Sequence, residues 1–396
     1  MRSVELFAGA GGLALGCELA GFESAAVVEW DQWACDTIRR NREVDFPLVR
    51  DWNVVEGDVR DVDWESQVTG DIDLVAGGPP CQPFSMGGKA RAADDSRDMF
   101  PAATEVIRTL RPRAFIIENV KGLTRSAFAN YFQYIVLRLE HPEIVSREGE
   151  SWLDHMRRLQ SEHSSVRSDL QYRVLPTVVN AADFGVPQQR HRVFMVGFRA
   201  DVDAEWSFPS PTHSREALRR SQIEGGEYWE RHRVRMKDRR PVVMSSSASS
   251  TAEESSLAPW RTVRDAISDL PEPRPTGSRT HLNHVLQPGA RSYPGHTGSY
   301  IDLPAKTLKA GGHGVPGGEN MLRNADDSIR YFSIRESARL QTFPDRYELH
   351  GSWSEAMRQL GNAVPVVLAQ AVASSVAEHL SLASFREAGR SRSRAA

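Results

Sequence analysis

Cysteine is scarce in this sequence of 396 residues, which contains only Cys17, Cys35 and Cys81. An odd number of cysteines without CxxC spacing argues against a disulfide framework and against a zinc cluster, and it fits a reducing, cytoplasmic compartment. His281 and His284 have the spacing of metal ligands, but no cysteine or acidic cluster joins them. We therefore predict no metal site.

Long apolar runs and a strong net charge are also missing. The N-terminus lacks the apolar core of a signal peptide, and no uninterrupted apolar segment is long enough to cross a bilayer. We therefore expect a soluble intracellular protein that uses no membrane. The formal charge of −3 gives no general affinity for nucleic acid, so any such surface must come from local clusters.

The segment 77–85 places Cys81 after two prolines, directly behind an apolar run at 72–76 that is typical of a buried strand. Each proline fixes its own φ and moves the preceding residue out of the helical region. The thiol is therefore predicted to lie on a rigid loop at the C-terminal end of a strand, where open α/β sheets bind ligands. Cysteine is also often a small buried hydrophobic residue, so this segment alone leaves a structural thiol open.

Strands and helices alternate through the first half of the chain, which favours a parallel sheet. Predicted strands lie at 4–7, 25–28, 54–58, 72–76, 114–119, 172–179 and 193–197, and predicted helices at 13–20, 33–40, 99–110 and 128–139. An acidic or reactive residue falls at the C-terminal end of four strands in succession, at Glu29, Asp58, Cys81 and Glu118. One such acid is usually a solvated loop residue, but a run of them in phase with the strands indicates a shared crevice.

The turn at 8–12 is rich in glycine and precedes a helix. Glycine permits positive φ and lets a ligand approach the backbone. Glu29 follows Gly9 by about twenty residues, the spacing at which an acidic residue meets ribose hydroxyls in nucleotide-binding βαβ units. The glycines do not spell GxGxxG, which weakens a dinucleotide interpretation, and a plain tight turn remains the alternative for Gly11.

The chain changes character between 200 and 330, where Pro, Gly, Ser and Arg are abundant and periodicity is lost. The predicted organisation is a first domain at 1–199, which contains the alternating strands and helices, a loop-rich domain at 200–330 with a flexible serine-rich segment at 245–256, a return to the first domain at 331–385, and a disordered basic tail at 386–396.

Three smaller features complete the predicted organisation. A polar segment at 141–170 is expected to be a surface insertion. A capping box at 333–336 is expected to open a helix that ends at Leu340. The last predicted helix spans 366–382, and its apolar face is expected to pack on the sheet.

Six short segments together resemble the cytosine-C5 DNA methyltransferases, and they occur in that family's order. They are 7–12 (FAGAGG), 78–82 (GPPCQ), 118–120 (ENV), 188–192 (QQRHR), 335–341 (RESARLQ) and 361–365 (GNAVP). The resemblance implies an α/β fold, a doubly wound and mostly parallel sheet of the SAM-dependent methyltransferase type. A smaller, loop-rich target-recognition domain would face this sheet across a DNA-binding cleft.

The family's chemistry accounts for the reactive residues. Cytosine C5 is a poor nucleophile until another nucleophile adds to C6, a task that suits a thiolate. The resemblance therefore implies that Cys81 adds to C6 of a cytosine that is flipped out of the duplex. It also implies that Glu118 holds N3 and the amino group of this cytosine. Arg192 matches the family's arginine near the base and Arg190 is expected to support it, with surface ion pairing as the alternative.

The implied methyl donor is S-adenosylmethionine. The residues at cofactor-binding positions of the motifs are Phe7, Ala8, Gly9, Gly11, Glu29, Trp30, Asp58, Pro80 and Asn362. Glu29 is expected to bind the ribose hydroxyls, Trp30 to stack near the adenine, and Asp58 to accept from the adenine amino group. Core packing is the alternative for Trp30.

The implied partner is duplex DNA. The residues assigned to DNA contacts are Gln82, Ser85, Arg97, Gln188, Thr307, Gly311 and Gly312. The loop at 82–97 is the expected lid over the base. The basic cluster at 231–240 is a candidate phosphate clamp, although such a run is more often a solvated face.

The resulting prediction is a monomeric DNA cytosine-5 methyltransferase that modifies one short sequence. In a microbe such an enzyme often protects DNA from a partner restriction endonuclease. An RNA cytosine-5 methyltransferase and a catalytically silent DNA-binding paralogue or subunit are the alternatives. Residues 82–85 resemble the DNA enzymes, and the presence of Cys81, Glu118 and Arg192 argues against a silent protein. The glycine pattern disfavours a nicotinamide dehydrogenase.

Overall fold

The computed structural model describes residues 1–80, 98–162, 169–239, 256–294, 296–310 and 320–395. Its strands are β1 (Arg2–Leu6), β2 (Glu23–Glu29), β3 (Val54–Glu56), β4 (Leu74–Gly77), β5 (Ala114–Val120), β6 (Tyr172–Asn180), β7 (His191–Arg199), β8 (His213–Ser214), β9 (Ala258–Pro259), β10 (Ser299–Tyr300), β11 (Met321–Arg323) and β12 (Ile329–Tyr331). Its α-helices are α1 (Gly12–Leu19), α2 (Gln32–Glu43), α3 (Trp64–Gln67), α4 (Phe100–Leu110), α5 (Ala129–Glu140), α6 (Trp152–Glu162), α7 (Arg215–Ile223), α8 (Glu227–Arg231), α9 (Val263–Ile267), α10 (Ile334–Leu340), α11 (Trp353–Asn362) and α12 (Val366–Ala395).

A seven-stranded sheet with the order β3-β2-β1-β4-β5-β7-β6 organises the molecule. The strands from β3 to β5 are parallel, whereas β7 runs antiparallel to both β5 and β6. The doubly wound, mostly parallel sheet is therefore confirmed. Since parallel strands end at one edge, β1, β2, β4 and β5 carry their C-terminal loops to the same side of the molecule.

Both faces of the sheet are buried, which explains why its central strands are continuous apolar runs. Alternate side chains of β5 point to opposite faces. Phe115 and Ile117 pack with residues of α4 and α5, whereas Ala114 and Ile116 pack with residues of α1 and α12. The helices thus hold the strand ends, and with them the loops that follow, in fixed positions.

The described part of the region 200–330 forms small elements of its own. Strands β8 and β9 form a two-stranded sheet, and β10, β11 and β12 form a three-stranded sheet. Tyr228, a member of a buried aromatic cluster, donates to Asp302 at 2.8 Å, and Arg264 pairs with the same carboxylate at 2.6 Å. Later residues of this region share another core with the turn at 8–12, since Ile267 and Leu308 lie in one buried cluster with Ala10.

The structure differs from the sequence expectations in two helices. The polar segment 141–170 contains α6, whose Trp152 packs against the ring of Tyr131 at 5.5 Å. Helix α12 continues to Ala395, so the residues predicted as a disordered tail from 386 extend this helix. The serine-rich stretch at 245–255 lies outside the described residues. The capping box at Ser333 and Glu336 is confirmed.

Among the described residues, one helical run, Trp353–Ala388, is long and apolar enough to span a membrane by length and composition alone. Of its most apolar window, 61% is buried inside the protein. The buried face of α12 packs on the sheet through Leu368, Val372 and Val376. The apolar composition of this helix is therefore explained by its place in the core.

A buried acid lies in β1, an interior strand of the sheet. Glu5 of β1 is almost completely inaccessible, and one of its carboxyl oxygens has no hydrogen-bond partner among the described residues. Burial raises the pKa of Glu5 to about 8, because the charged form loses its hydration. The folded protein therefore holds this proton to a higher pH than the unfolded chain does.

Replacing Glu5 by glutamine is expected to flatten the pH dependence of stability. The stabilisation from the protonated Glu5 is complete below about pH 4.5 and is lost as the pH rises towards about 8. Urea unfolding at several pH values should show the free energy of unfolding falling over that window in the wild type, and falling much less in Glu5→Gln. Parallel curves for the two proteins would contradict the buried neutral carboxyl.

Candidate active site at the carboxyl edge of the sheet

The turn after β1 has the backbone geometry that its glycines predict. Phe7, Gly9 and Gly11 all have positive φ, at 54°, 54° and 84°. A Cβ at Gly9 would meet nothing within 4 Å, whereas one at Gly11 would lie 3.1 Å from the buried ring of Trp52. The turn therefore packs against the protein at Gly11 and leaves its backbone accessible at Gly9, where a ligand can approach.

Glu29 closes this turn from the end of β2. Its Oε2 accepts from the Gly9 amide at 2.7 Å, and its Oε1 accepts from the amides of Trp30 and Asp31 at 2.9 and 2.8 Å. The side chain is buried, and this burial raises its pKa. A carboxylate has about four acceptor positions, so Oε2 retains one for a ligand hydroxyl.

Trp30 and Asp58 border the same edge. Trp30 is 70% exposed, so it does not belong to the core, and its indole is free to stack on a ligand. Asp58 accepts from the backbone amide and Nε of Arg60, each at 2.9 Å, and this pairing lowers the pKa of Asp58. A ligand amino group at Asp58 would share the carboxylate with Arg60.

Tyr347, which no motif singled out, supports the turn from the far end of the chain. Its fully buried hydroxyl donates to the Ala10 carbonyl at 2.9 Å. Arg335 in turn donates to the Tyr347 carbonyl at 2.7 Å and is itself almost completely buried. No local sequence signal could reveal this contact, because the two partners are 337 residues apart.

The change Tyr347→Phe is expected to weaken binding of S-adenosylmethionine, the methyl donor that the resemblance implies, at the turn 8–12. It removes one buried hydrogen bond and leaves the Ala10 carbonyl without that donor, at a cost of about 1 to 3 kcal/mol in stability. Calorimetric titration should show a lower cofactor affinity together with a lower melting temperature. Tyr300→Phe, on the more exposed β10, is the matched control and should change neither. Unchanged cofactor affinity in Tyr347→Phe would contradict the supporting role.

Glu118 and Arg192 form a buried ion pair across β5 and β7. Arg192 Nε lies 2.7 Å from Glu118 Oε1, and the two side chains are only 10% and 8% exposed. Burial raises the pKa of Glu118, while the nearby Arg192 and Arg190 act in the opposite direction. The pair is brought together by the antiparallel register, in which Val120 lies opposite Arg192. Surface ion pairing is thus not the role of Arg192.

The loop leading to Cys81 is fixed directly beside Glu118. A Cβ at Gly78 would lie only 3.0 Å from Glu118 Oε2, so any side chain at this position would press on the Glu118 carboxyl. Asn119 donates to the Pro79 carbonyl at 3.0 Å and accepts from the Val120 amide at 2.8 Å. The half-buried Pro80 is the last described residue before Cys81. Cys81, Gln82, Ser85, Arg97, Gly311 and Gly312 lie outside the described residues.

The remaining site candidates fall into two groups. Asn362 is exposed at the end of α11, and Thr307 is half-buried with its hydroxyl donating to the Gln189 carbonyl at 2.7 Å. Gln188 and Arg190 are fully buried. Burial of Gln188 is at odds with direct contact to DNA, and its amide is instead bonded within the protein. Arg190 donates to the carbonyls of Leu308 and Gly361 at 3.1 and 2.5 Å, which rules out surface ion pairing.

The basic cluster at 231–239 is partly neutralised within the protein. Arg231 pairs with Asp265 and Arg235 with Asp238, both at 2.8 Å. Fewer of its charges are therefore available to phosphates than the sequence suggests. Of the two histidines with metal-like spacing, His284 has its ring nitrogens 2.9 Å from the Ser333 hydroxyl and 2.6 Å from the Pro271 carbonyl.

The fold has solved counterparts. The Dnmt2 methyltransferase of S. pombe superposes with a TM-score of 0.54 at 17% identity, covering 96% of this chain and 98% of that one. The Spodoptera frugiperda DNMT2 mutant superposes with the same TM-score at 16% identity, covering 96% of this chain and 99% of that one. At these identities the likeness concerns the fold alone.

Curated relatives match over nearly the full chain. Type II methyltransferase M.PspPI of Psychrobacter sp. (strain TA137) is 32% identical, covering 96% of this chain and 80% of that protein. Type II methyltransferase M.Eco47II of Escherichia coli is 32% identical, covering 94% and 78%. The family model described as C-5 cytosine-specific DNA methylase matches residues 1–142 and 154–378. With this match over most of its length, the chain belongs to the C-5 cytosine-specific DNA methylase family.

Proposed function

We propose that this chain transfers the methyl group of S-adenosylmethionine to C5 of a flipped-out cytosine in one short duplex DNA sequence, through a covalent bond between Cys81 and C6. The family supplies the reaction class, DNA cytosine-5 methylation. The observation that carries the residue assignment is the buried Glu118–Arg192 pair, packed against Gly78, which precedes Cys81 by three residues in the sequence.

The residues at the carboxyl edge fit S-adenosylmethionine. Gly9 offers open backbone, Glu29 keeps an acceptor position for a ribose hydroxyl, and Trp30 exposes an aromatic face for the adenine. Phe7, Ala8, Gly11, Asp58, Pro80 and Asn362 complete the proposed cofactor set. When bound, the cofactor supplies an electrophilic methyl group on a sulfonium centre.

In the proposed mechanism, the thiolate of Cys81 acts first. It adds to C6, and Glu118 donates a hydrogen bond at N3, where negative charge develops. C5 then acts as a nucleophile and gains the methyl group. Loss of the C5 proton to solvent and departure of the thiolate from C6 restore the aromatic ring and free Cys81. Arg192 orients the Glu118 carboxyl throughout.

Duplex DNA is the proposed substrate, and the type II methyltransferases among the relatives support a place in restriction and modification. We further propose a monomeric enzyme of the cytoplasm that shares its target sequence with a restriction endonuclease. Proposed DNA contacts are Gln82, Ser85, Arg97, Thr307, Gly311 and Gly312. The domain division at residues 199, 330 and 385 is part of the same proposal.

Incubating the purified protein with labelled S-adenosylmethionine and either duplex DNA or tRNA tests the substrate. Mass spectrometry of the digested nucleosides should find 5-methylcytosine from the DNA reaction and none from the tRNA reaction. Label in tRNA alone would favour the RNA enzyme. A folded protein that binds both cofactor and DNA without transferring label would favour the silent paralogue.

A further inference from the structure

The loop at 187–190 and the recognition segment at 305–310 are joined along their backbones. Ala305 donates to the Pro187 carbonyl at 2.9 Å, and Gln189 donates to the Ala305 carbonyl at 2.8 Å. The recognition segment leads directly into 311–319, which contains two proposed DNA contacts. The loop leads directly into β7 and Arg192. This joint therefore connects a proposed DNA-contacting stretch to the cytosine-binding pair.

Gln188 occupies the centre of the joint with every polar group of its side chain used. Its Oε1 accepts from the Leu308 amide at 2.9 Å. Its Nε2 lies 3.2 Å from both the Leu340 carbonyl and Gln341 Oε1. Gln341 is also fully buried and donates to the Leu360 and Ala363 carbonyls at the end of α11. Two amides thus form a continuous relay from the recognition segment to α11.

Arg190, two residues after Gln188, also connects the recognition segment to α11. Its guanidinium bonds the Leu308 carbonyl and the Gly361 carbonyl, which is among the last carbonyls of α11 and lacks a helical partner. A Cβ at Gly361 would collide with the backbone of Ala310, so α11 and the recognition segment are in direct contact. Asn362, a proposed cofactor contact, follows immediately.

We propose that Gln188, Gln341 and Arg190 are positioning residues that hold the recognition segment in register with the Glu118–Arg192 pair. The inference rests on the proposed function and assigns Gln188 a role other than touching DNA. The relay sets the distance between the DNA held by the recognition segment and the pair that binds the flipped base. Since reacting groups need near-attack geometry, a small displacement here lowers turnover without abolishing DNA binding.

A double-mutant cycle with Gln188→Met and Gln341→Met tests the relay, because methionine keeps the volume and removes the amide. Each single change is expected to lower kcat about tenfold, with DNA affinity and its salt dependence within about twofold of wild type. The double mutant should be no slower than the slower single mutant, because both changes interrupt one relay. Gln189→Met, at the exposed neighbouring position, is the matched control and should keep the wild-type kcat.

The opposite pattern would overturn the proposal. A DNA-contacting Gln188 predicts weaker DNA binding in Gln188→Met, unchanged binding in Gln341→Met, and effects on kcat that multiply in the double mutant. If Gln188→Met does not fold, Gln188→Asn, which keeps the amide on a shorter stem, takes its place with the same expected outcomes. Wild-type turnover in the same assay tests the proposed function separately, so wild-type kcat in every variant would count against the relay alone.

Discussion

Cys81→Ala is expected to abolish methyl transfer, lowering kcat by about 10⁴-fold or more, because no other group can form the bond to C6. The other two thiols are unsuited to the task. Burial raises the pKa of Cys35 to about 12 and raises that of Cys17 well above its usual range, so both stay protonated near neutral pH. Rapid-quench measurement of label transfer to duplex DNA gives the rate.

Cofactor affinity separates loss of the nucleophile from loss of the fold. Cys81→Ala should bind S-adenosylmethionine as the wild type does, since Gly9, Glu29 and Trp30 are untouched. Cys17→Ala is the matched control and should keep wild-type turnover, with a small loss of stability from the buried site. Residual turnover in Cys81→Ala above the level of enzyme-free reactions would refute the assigned nucleophile.

Glu118→Gln is expected to lower kcat by about 10² to 10⁴-fold, the usual contribution of a general acid. Glutamine keeps the size of the side chain and its contact with Gly78, but it cannot give up a proton as charge develops on N3. Single-turnover kinetics at saturating cofactor and DNA measure the chemical step directly.

The pH profile gives a second readout for the same residue. Because burial raises the pKa of Glu118, the protonated form persists above the ordinary range of a carboxyl, and kcat should fall as the pH rises through this raised pKa. Glu118→Gln should lose that alkaline limb. Glu105→Gln, an exposed glutamate paired with Arg108 on α4, should keep both the rate and the limb. An unchanged limb in Glu118→Gln would assign it to another group.

Local signals in the sequence predicted the sheet and its edge well. The apolar run at 72–76 corresponds to β4 at 74–77, and Gly9 and Gly11 of the turn at 8–12 have the positive φ that glycine permits. Glu29 and Glu118 lie at the ends of β2 and β5 as predicted. These features depend on neighbouring residues, so a pattern of a few residues contains them.

Contacts between residues that are far apart in the chain could not be predicted from local patterns. Nothing local distinguishes the buried Gln188 from the exposed Gln189, because the difference comes from Leu308 and Gln341, far along the chain. The contact of Tyr347 with the turn at 8–12 was likewise unpredictable, because its partner Ala10 is far away in the chain. The sequence did not predict helix α6, because most of its residues are polar and obscure the apolar contact that Trp152 makes.

Base-resolution cytosine methylation of DNA from a methylation-free bacterial host that expresses this chain tests the central claim most directly. We predict methylated cytosines at one position of a single recurring short sequence, and none in cells that express Cys81→Ala. Unmethylated DNA from cells that contain folded, cofactor-binding wild-type protein would contradict the account.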